Sequence, residues 1–146
     1  MLRRSAFALM LALTVALAAC GGDSPTEPST PPPAGPANLV IEEVTAGTGA
    51  EATGGKLLTF AYILYAYDPA GPNGRGQALQ QSQFQFRQGT NGTIPGFEQG
   101  TAGMLVGGVR RLTIPPSLAY GATGSLPLIR PNEWIVFDVQ LLAVAD

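Results

Sequence analysis

Side-chain catalysis needs groups that carry a proton, a nucleophile or a metal, and this chain is short of them. It has no histidine and one cysteine in 146 residues, which removes Ser/His and Cys/His nucleophile pairs, imidazole metal sites and any internal disulfide. From residue 38 onward the acids are Glu42, Glu43, Glu51, Asp68, Glu98, Glu133, Asp138 and Asp146. They fall on unrelated elements without the spacing of a metal loop, and each reads as solvated charge. No metal ion or cofactor is expected. Two phosphate-binding patterns also fail. Gly47-Thr48-Gly49-Ala50-Glu51-Ala52 is followed by Thr53-Gly54-Gly55, which stops a helix from opening, and the run ending Gly55-Lys56 has Ala50 and Leu57 where a phosphate loop needs Gly and Ser/Thr. What remains is aromatic and aliphatic: Tyr62, Phe84, Phe86, Ile94, Phe97, Tyr120, Ile129, Trp134 and Phe137. Residues of these types either form plain core, the reading taken for Phe86 and Val139, or line a water-excluding pocket with a few fixed hydrogen bonds.

The elements that must position them are mostly strands. Residues 57–65 form a β-branched and aromatic run in which Leu58, Phe60, Tyr62 and Leu64 share one face by the period-2 rule, and in residues 134–144 Ile135, Phe137, Val139 and Leu141 do the same. Shorter strands are expected at residues 39–44, 84–86 and 112–114. One helix is expected over residues 95–104, because Pro95 suits a first turn and Phe97, Thr101 and Met104 recur at helical spacing. The Gly/Pro-rich stretches 68–77 and 120–132 read as long surface loops that shape a pocket. The outline is α+β, a twisted antiparallel sheet wrapped around a short helix.

Composition bounds the rest. The length admits one domain plus appendages at ~100 to 200 residues per domain. Charged residues are 12% of the chain, about half the usual ~25%. The net charge is −2 and the bases pair up only at Arg3/Arg4 and Arg110/Arg111, so there is no basic patch to neutralise phosphates and no nucleic-acid partner is expected.

The N-terminus accounts for the cysteine. Arg3 and Arg4 precede residues 6–19, a run dominated by Ala, Leu, Val and Met in which only Thr14 is polar. It is too short for a ~30 Å bilayer core, which takes about 20 helical residues, and reads as a signal peptide over residues 1–19. Leu17-Ala18-Ala19-Cys20-Gly21 resembles the bacterial lipobox, with Cys20 as the lipidated residue; the alternative is an ordinary secretory peptide that leaves a free thiol. Because Gly21 rather than Asp follows the cysteine, the resemblance implies a lipid-anchored protein of the outer membrane facing the periplasm. Residues 20–37 carry Pro25, Pro28, Pro31, Pro32, Pro33 and Pro36 and no large apolar residue. They read as an extended tether of ~3.1 Å per residue, with a Pro-rich ligand for another domain as the alternative. The globular domain is then 38–146.

Four blocks in this domain stand in order: residues 92–100 (Gly-Thr-Ile-Pro-Gly-Phe-Glu-Gln-Gly), 103–115 (Gly-Met-Leu-Val-Gly-Gly-Val-Arg-Arg-Leu-Thr-Ile-Pro), 118–122 (Leu-Ala-Tyr-Gly-Ala) and 136–142 (Val-Phe-Asp-Val-Gln-Leu-Leu). Together they resemble the signature blocks of FKBP-type peptidyl-prolyl cis-trans isomerases. The resemblance implies a half-open antiparallel β-sheet of five to six strands wrapped around one short α-helix, with proline entering between them. It places Tyr62, Ile94, Phe97 and Tyr120 in catalytic positions and Leu79, Gln80, Phe84, Thr93, Ile129 and Phe137 around the substrate. The Ile94 N–H and the Tyr120 hydroxyl would hold the peptide's carbonyls. Phe97 stands where many members have Trp. In Gly76-Gln77-Ala78-Leu79-Gln80-Gln81-Ser82, Leu79 replaces an aromatic and Gln80 replaces the pocket aspartate.

This chemistry suits a chain without histidine. Rotation about a peptide bond faces ~18 to 20 kcal/mol because the twisted amide loses resonance, and no bond is made or broken. The twisted amide is less polar than the planar one, so an apolar pocket with fixed donors favours it. The resemblance thus implies a cofactor-independent isomerase, a monomer acting on Pro-containing polypeptides of the bacterial envelope. The alternative, prompted by Leu79 and Gln80, is a weakly active or inactive module that binds such segments as a chaperone or adaptor.

Overall fold

A computed structural model describes residues 30–146; the expected leader, Cys20 and most of the tether lie outside the described residues. The strands β1 (Val40–Thr45), β2 (Leu57–Tyr67), β3 (Arg75–Arg87), β4 (Val109–Ile114) and β5 (Ile135–Ala145) form one sheet in the order β1-β4-β5-β2-β3. Every neighbouring pair is antiparallel. A single α-helix among the described residues, α1 (Pro95–Thr101), follows β3. This is the α+β arrangement expected, with five strands.

One face of the sheet is the core. Leu58, Phe60 and Leu64 of β2, Leu112 and Ile114 of β4, and Ile135, Phe137, Val139 and Leu141 of β5 are all buried there, on the alternate positions that the period-2 pattern marks. The helix lies across this face. Seven residues cannot hold a helix in water, so docking must stabilise it. Two glycines one turn apart permit the close approach: a Cβ on Gly96 would collide with Ile114, and one on Gly100 would sit 2.6 Å from Leu112. Pro95 opens the helix, and Phe97 and Thr101 point into the core. Met104 is buried as expected, but the helix stops at Thr101: Ala102 turns to an extended ψ of 138° and Gly103 to a left-handed φ of +69°, a tight turn closed by the bond from Met104 N to Thr101 O.

The other face carries ions. Arg111 on β4 bonds Asp138 on β5 at 2.7 Å and Glu42 on β1 at 3.2 Å, and Arg75 crosses the Tyr65 ring to reach the second oxygen of Asp138 at 2.9 Å. Hydrogen bonding to Asp138 raises the Arg111 pKa further against the opposing effect of its burial. Two of the acids read as solvated charge are therefore not so: Asp138 is half-buried in this chain of ions, and Glu133 is buried with Arg130 as partner. An ionised side chain tolerates burial only when it is paired and hydrogen-bonded, as both of these are.

β3 departs most from expectation. Apolar alternation marks only residues 84–86, yet the strand runs for 13 residues and takes in Arg75, Gly76 and Gln77, which read as loop. Pairing with β2 extends it through glutamines with little intrinsic strand preference. Tyr67 faces Arg75, Tyr65 faces Ala78 and Leu64 faces Gln80, so Leu79 is the extra residue of a β-bulge.

The folded unit also begins earlier than residue 38. The Trp134 indole N–H donates to Pro36 O at 3.0 Å, and Gly35 lies so close to the ring that a Cβ there would come within 2.6 Å of it. The last residues of the expected tether are thus strapped to the start of β5.

Candidate active site

Between the core face and α1 is a cavity of about 250 Å³. It lies below the ~300 to 1,000 Å³ of sites for drug-sized ligands, a size suited to one small group. β2 supplies Tyr62 and Leu64, β3 supplies Gln80 and Phe84, and β5 supplies Phe137. Thr93 and Ile94 come from the turn before α1, Phe97 from its first turn, and Tyr120 from the loop after β4.

The walls are aromatic rings meeting edge to face. Phe97, 1% exposed, is the hub: its ring centroid lies 5.2 Å from that of Phe137, 5.2 Å from Phe84 and 5.5 Å from Phe60, at steep interplanar angles. Tyr62 closes the ring at 5.5 Å from Phe137 and 5.8 Å from Phe84. Contacts of this kind add ~0.5 to 1.5 kcal/mol each beyond burial and fix ring orientation. The cavity is therefore preformed, with no ionised side chain on its wall.

The lining also includes neutral polar residues, Gln80, Thr93, Tyr62 and Tyr120, and the backbone of Ile94. Ile94, the residue before the helix, is extended (φ −63°, ψ 143°), and its carbonyl accepts from the Phe97 and Glu98 amides. Its own N–H has no backbone acceptor among the described residues. The half-buried Tyr120 hydroxyl has its pKa raised above 10.0 by burial first and the neighbouring Tyr62 second, which keeps it a proton donor through the neutral range.

Eight of the ten residues expected around a proline ring line this one cavity: Tyr62, Gln80, Phe84, Thr93, Ile94, Phe97, Tyr120 and Phe137. Leu79 and Ile129 do not. Leu79, at the bulge, packs half-buried against the core, while Ile129 is 2% exposed and bound to Ser125 inside the loop. Leu64 completes the wall and was not singled out as a site residue; the period-2 face it shares with Tyr62 was the available signal. A larger concavity of about 620 Å³, among Gln81, Gln83, Gln140 and Asp138, does not contain this set of rings. Among the described residues no cluster of three or more His, Cys, Asp or Glu is placed to hold a metal, and no helix is long and apolar enough to cross a membrane.

Known proteins share this arrangement. The profile of the family described as FKBP-type peptidyl-prolyl cis-trans isomerase matches residues 49–142. FKBP15-3 of Arabidopsis thaliana is 39% identical over 112 residues, covering 73% of this chain and 73% of that protein. FKBP53 of the same plant is 39% identical over 113 residues, which is 75% of this chain but only 23% of that longer relative. The crystal structure of a peptidyl-prolyl cis-trans isomerase from Pseudomonas syringae superposes with a TM-score of 0.61 at 30% identity, over 74% of this chain and 76% of that one. FkpA from Escherichia coli gives 0.62 at 34% identity, over 73% and 48%. With the profile spanning most of the domain and a relative of this similarity matched along most of its length, the chain belongs to the FKBP-type peptidyl-prolyl cis-trans isomerases.

Proposed function

We propose that this domain is an active prolyl isomerase that rotates X-Pro bonds in polypeptide substrates. The observation that carries the reading is the cavity itself: preformed aromatic walls without an ionised group, with Tyr120 and Ile94, the two residues whose hydroxyl and N–H would hold the peptide's carbonyls, both on its lining. A proline ring in this cavity leaves its amide in a dry, weakly polar setting. There the twisted form loses less solvation than the planar one, and the two donors hold flanking carbonyls without following the rotating bond. Tyr62, Ile94, Phe97 and Tyr120 are the residues assigned to rotation, and Gln80, Phe84, Thr93 and Phe137 to holding the substrate.

The second reading is a weakly active or inactive chaperone or adaptor, favoured by the amide of Gln80 on a wall where the family resemblance implies a carboxylate. A protease-coupled assay on X-Pro peptides separates the two. The wild type should turn over, with Gln80→Asp within about tenfold of it, or ~1.4 kcal/mol of barrier. An inactive wild type restored by Gln80→Asp would establish the binding-module reading instead.

The setting is part of the proposal. Residues 1–20 have the pattern of a signal peptide and lipobox, which supports a lipoprotein anchored through Cys20 to the outer membrane of a bacterial envelope, facing the periplasm. Its clients would be Pro-containing envelope polypeptides. Cys20→Ala should move the protein from the membrane to the soluble fraction, and a variant still sedimenting with membranes would overturn the anchor. One acyl chain binds only marginally, so lasting attachment requires the multiply acylated cysteine.

A further inference from the structure

We propose that Glu133 is a positioning residue: a buried ionic clamp at the far end of the loop that carries Tyr120, holding that loop in the form that aims the hydroxyl into the cavity. The inference rests on the reading of Tyr120 as a substrate-holding donor.

Glu133 is unusual in its place. Its side chain is 4% exposed, in a chain where acids are few and mostly outward. One oxygen accepts the Arg130 backbone N–H at 2.7 Å, and the other accepts Arg130 Nε at 3.2 Å and Nη2 at 2.9 Å. All its partners belong to one residue three positions away, so these bonds tie the loop to itself rather than to the sheet. Burying a carboxylate costs free energy unless it is paired and hydrogen-bonded, and here one arginine supplies both.

The loop needs such a tie. Residues 120–133 form no helix or strand and contain Gly121, Gly124, Pro127 and Pro131. They fold back on their own end: Asn132 N donates to Gly121 O at 2.8 Å, Gly124 N to Tyr120 O at 3.1 Å, and Ser125 and Ile129 exchange bonds of 2.8 and 2.9 Å. At Gly124, with φ +67°, a Cβ would lie 2.6 Å from Ile129 O, 2.7 Å from Arg130 C and 2.8 Å from Pro131 N. The segment nearest Tyr120 thus leans on residues 129–131, and the Glu133 carboxylate fixes the chain at Arg130 in the middle of that support. Release of the clamp frees the whole return, including the bonds to Gly121 and Tyr120.

The test pairs amide hydrogen exchange with isomerase kinetics on the whole chain. In Glu133→Ala, exchange at Gly124, Ser125, Ile129 and Asn132 should rise about tenfold or more, while the amides of β2 and β5 stay as in the wild type. The kcat/KM should fall about tenfold through KM with kcat little changed, well within the ~10²-fold that a 1 Å misplacement costs. Glu133→Gln keeps an acceptor for the Arg130 N–H and should recover most of the loss; Arg130→Ala, which keeps the backbone donor and loses the guanidinium, should fall between. Uniform acceleration of exchange through the sheet would make Glu133 a general stabiliser and overturn the proposal. Loop exchange rising with KM unchanged would overturn it as well. A wild type without turnover would defeat the isomerase reading alone, and the exchange pattern would still decide whether the clamp exists.

Discussion

Phe137 and Asp138 are neighbours on β5 that serve opposite faces of one sheet. Phe137 lines a cavity whose wall holds no charge, while Asp138 joins two arginines in a chain of ions that reaches four of the five strands. The two sides spend different physics. On the cavity side, stability comes from burial and edge-to-face rings, the same groups that create a dry site for a twisted amide. On the outer side, paired charges join strands without entering the cavity. A reaction that moves no proton is best served by this separation: the groups that respond to salt and pH hold the sheet, and those that line the cavity are neutral.

Three variants sharpen or break that division. The largest effect belongs to Phe97→Ala, which removes the 1% exposed hub of the rings. It should cost ~3 to 5 kcal/mol, read as a lower urea midpoint, and should abolish most turnover in whatever fraction circular dichroism shows to be folded. Asp138→Ala comes next. It leaves Arg111, whose side chain is 9% exposed, with Glu42 as its remaining acid partner, and should cost about 2 kcal/mol for lost bonds to a charged group while kcat/KM per folded molecule stays within twofold of the wild type. A large kinetic loss there would show that the two faces are coupled. The smallest is Tyr120→Phe, which deletes one hydroxyl. The kcat/KM should fall about tenfold, equivalent to ~1.4 kcal/mol, with the melting temperature nearly unchanged. The wild-type rate should stay flat with pH through neutrality and fall only above the ordinary tyrosine range, because burial holds the Tyr120 proton on past 10.0; the Tyr120→Phe profile should lack that fall.

The same division explains what was legible in the sequence. Inner-face positions follow simple periods, so the partners of Phe60 on β2 and Val139 on β5, the short helix at Pro95, and eight of the ten expected site residues could be placed by spacing and resemblance. The outer face and the irregular segments carry no such period. The run Gln80-Gln81-Ser82-Gln83 looks like neither strand nor core until β2 pairs with it, and the bulge at Leu79 shifts the alternation by one residue, which is how Leu79 and Gln80 can both turn toward the interior side. Glu133 and Asp138 resemble surface charge because their partners, Arg130, Arg111 and Arg75, meet them only after the loops and strands close. The strap at Gly35 and Pro36 was hidden for a similar reason: a proline-rich run says how the chain extends, and nothing about the ring that it will meet.

That ring has an optical consequence. Trp134 is the only tryptophan in the chain, and with Phe97 rather than Trp on the cavity wall, none lines the cavity. Its indole is held by Pro36 and covered by Gly35, so the intrinsic emission of this protein reports on the strap. Filling the cavity should leave the spectrum almost silent, whereas peeling residues 35–36 from the domain should shift it to the red. The chain therefore carries a built-in fluorescent gauge of whether residues 35–36 are still seated on the domain.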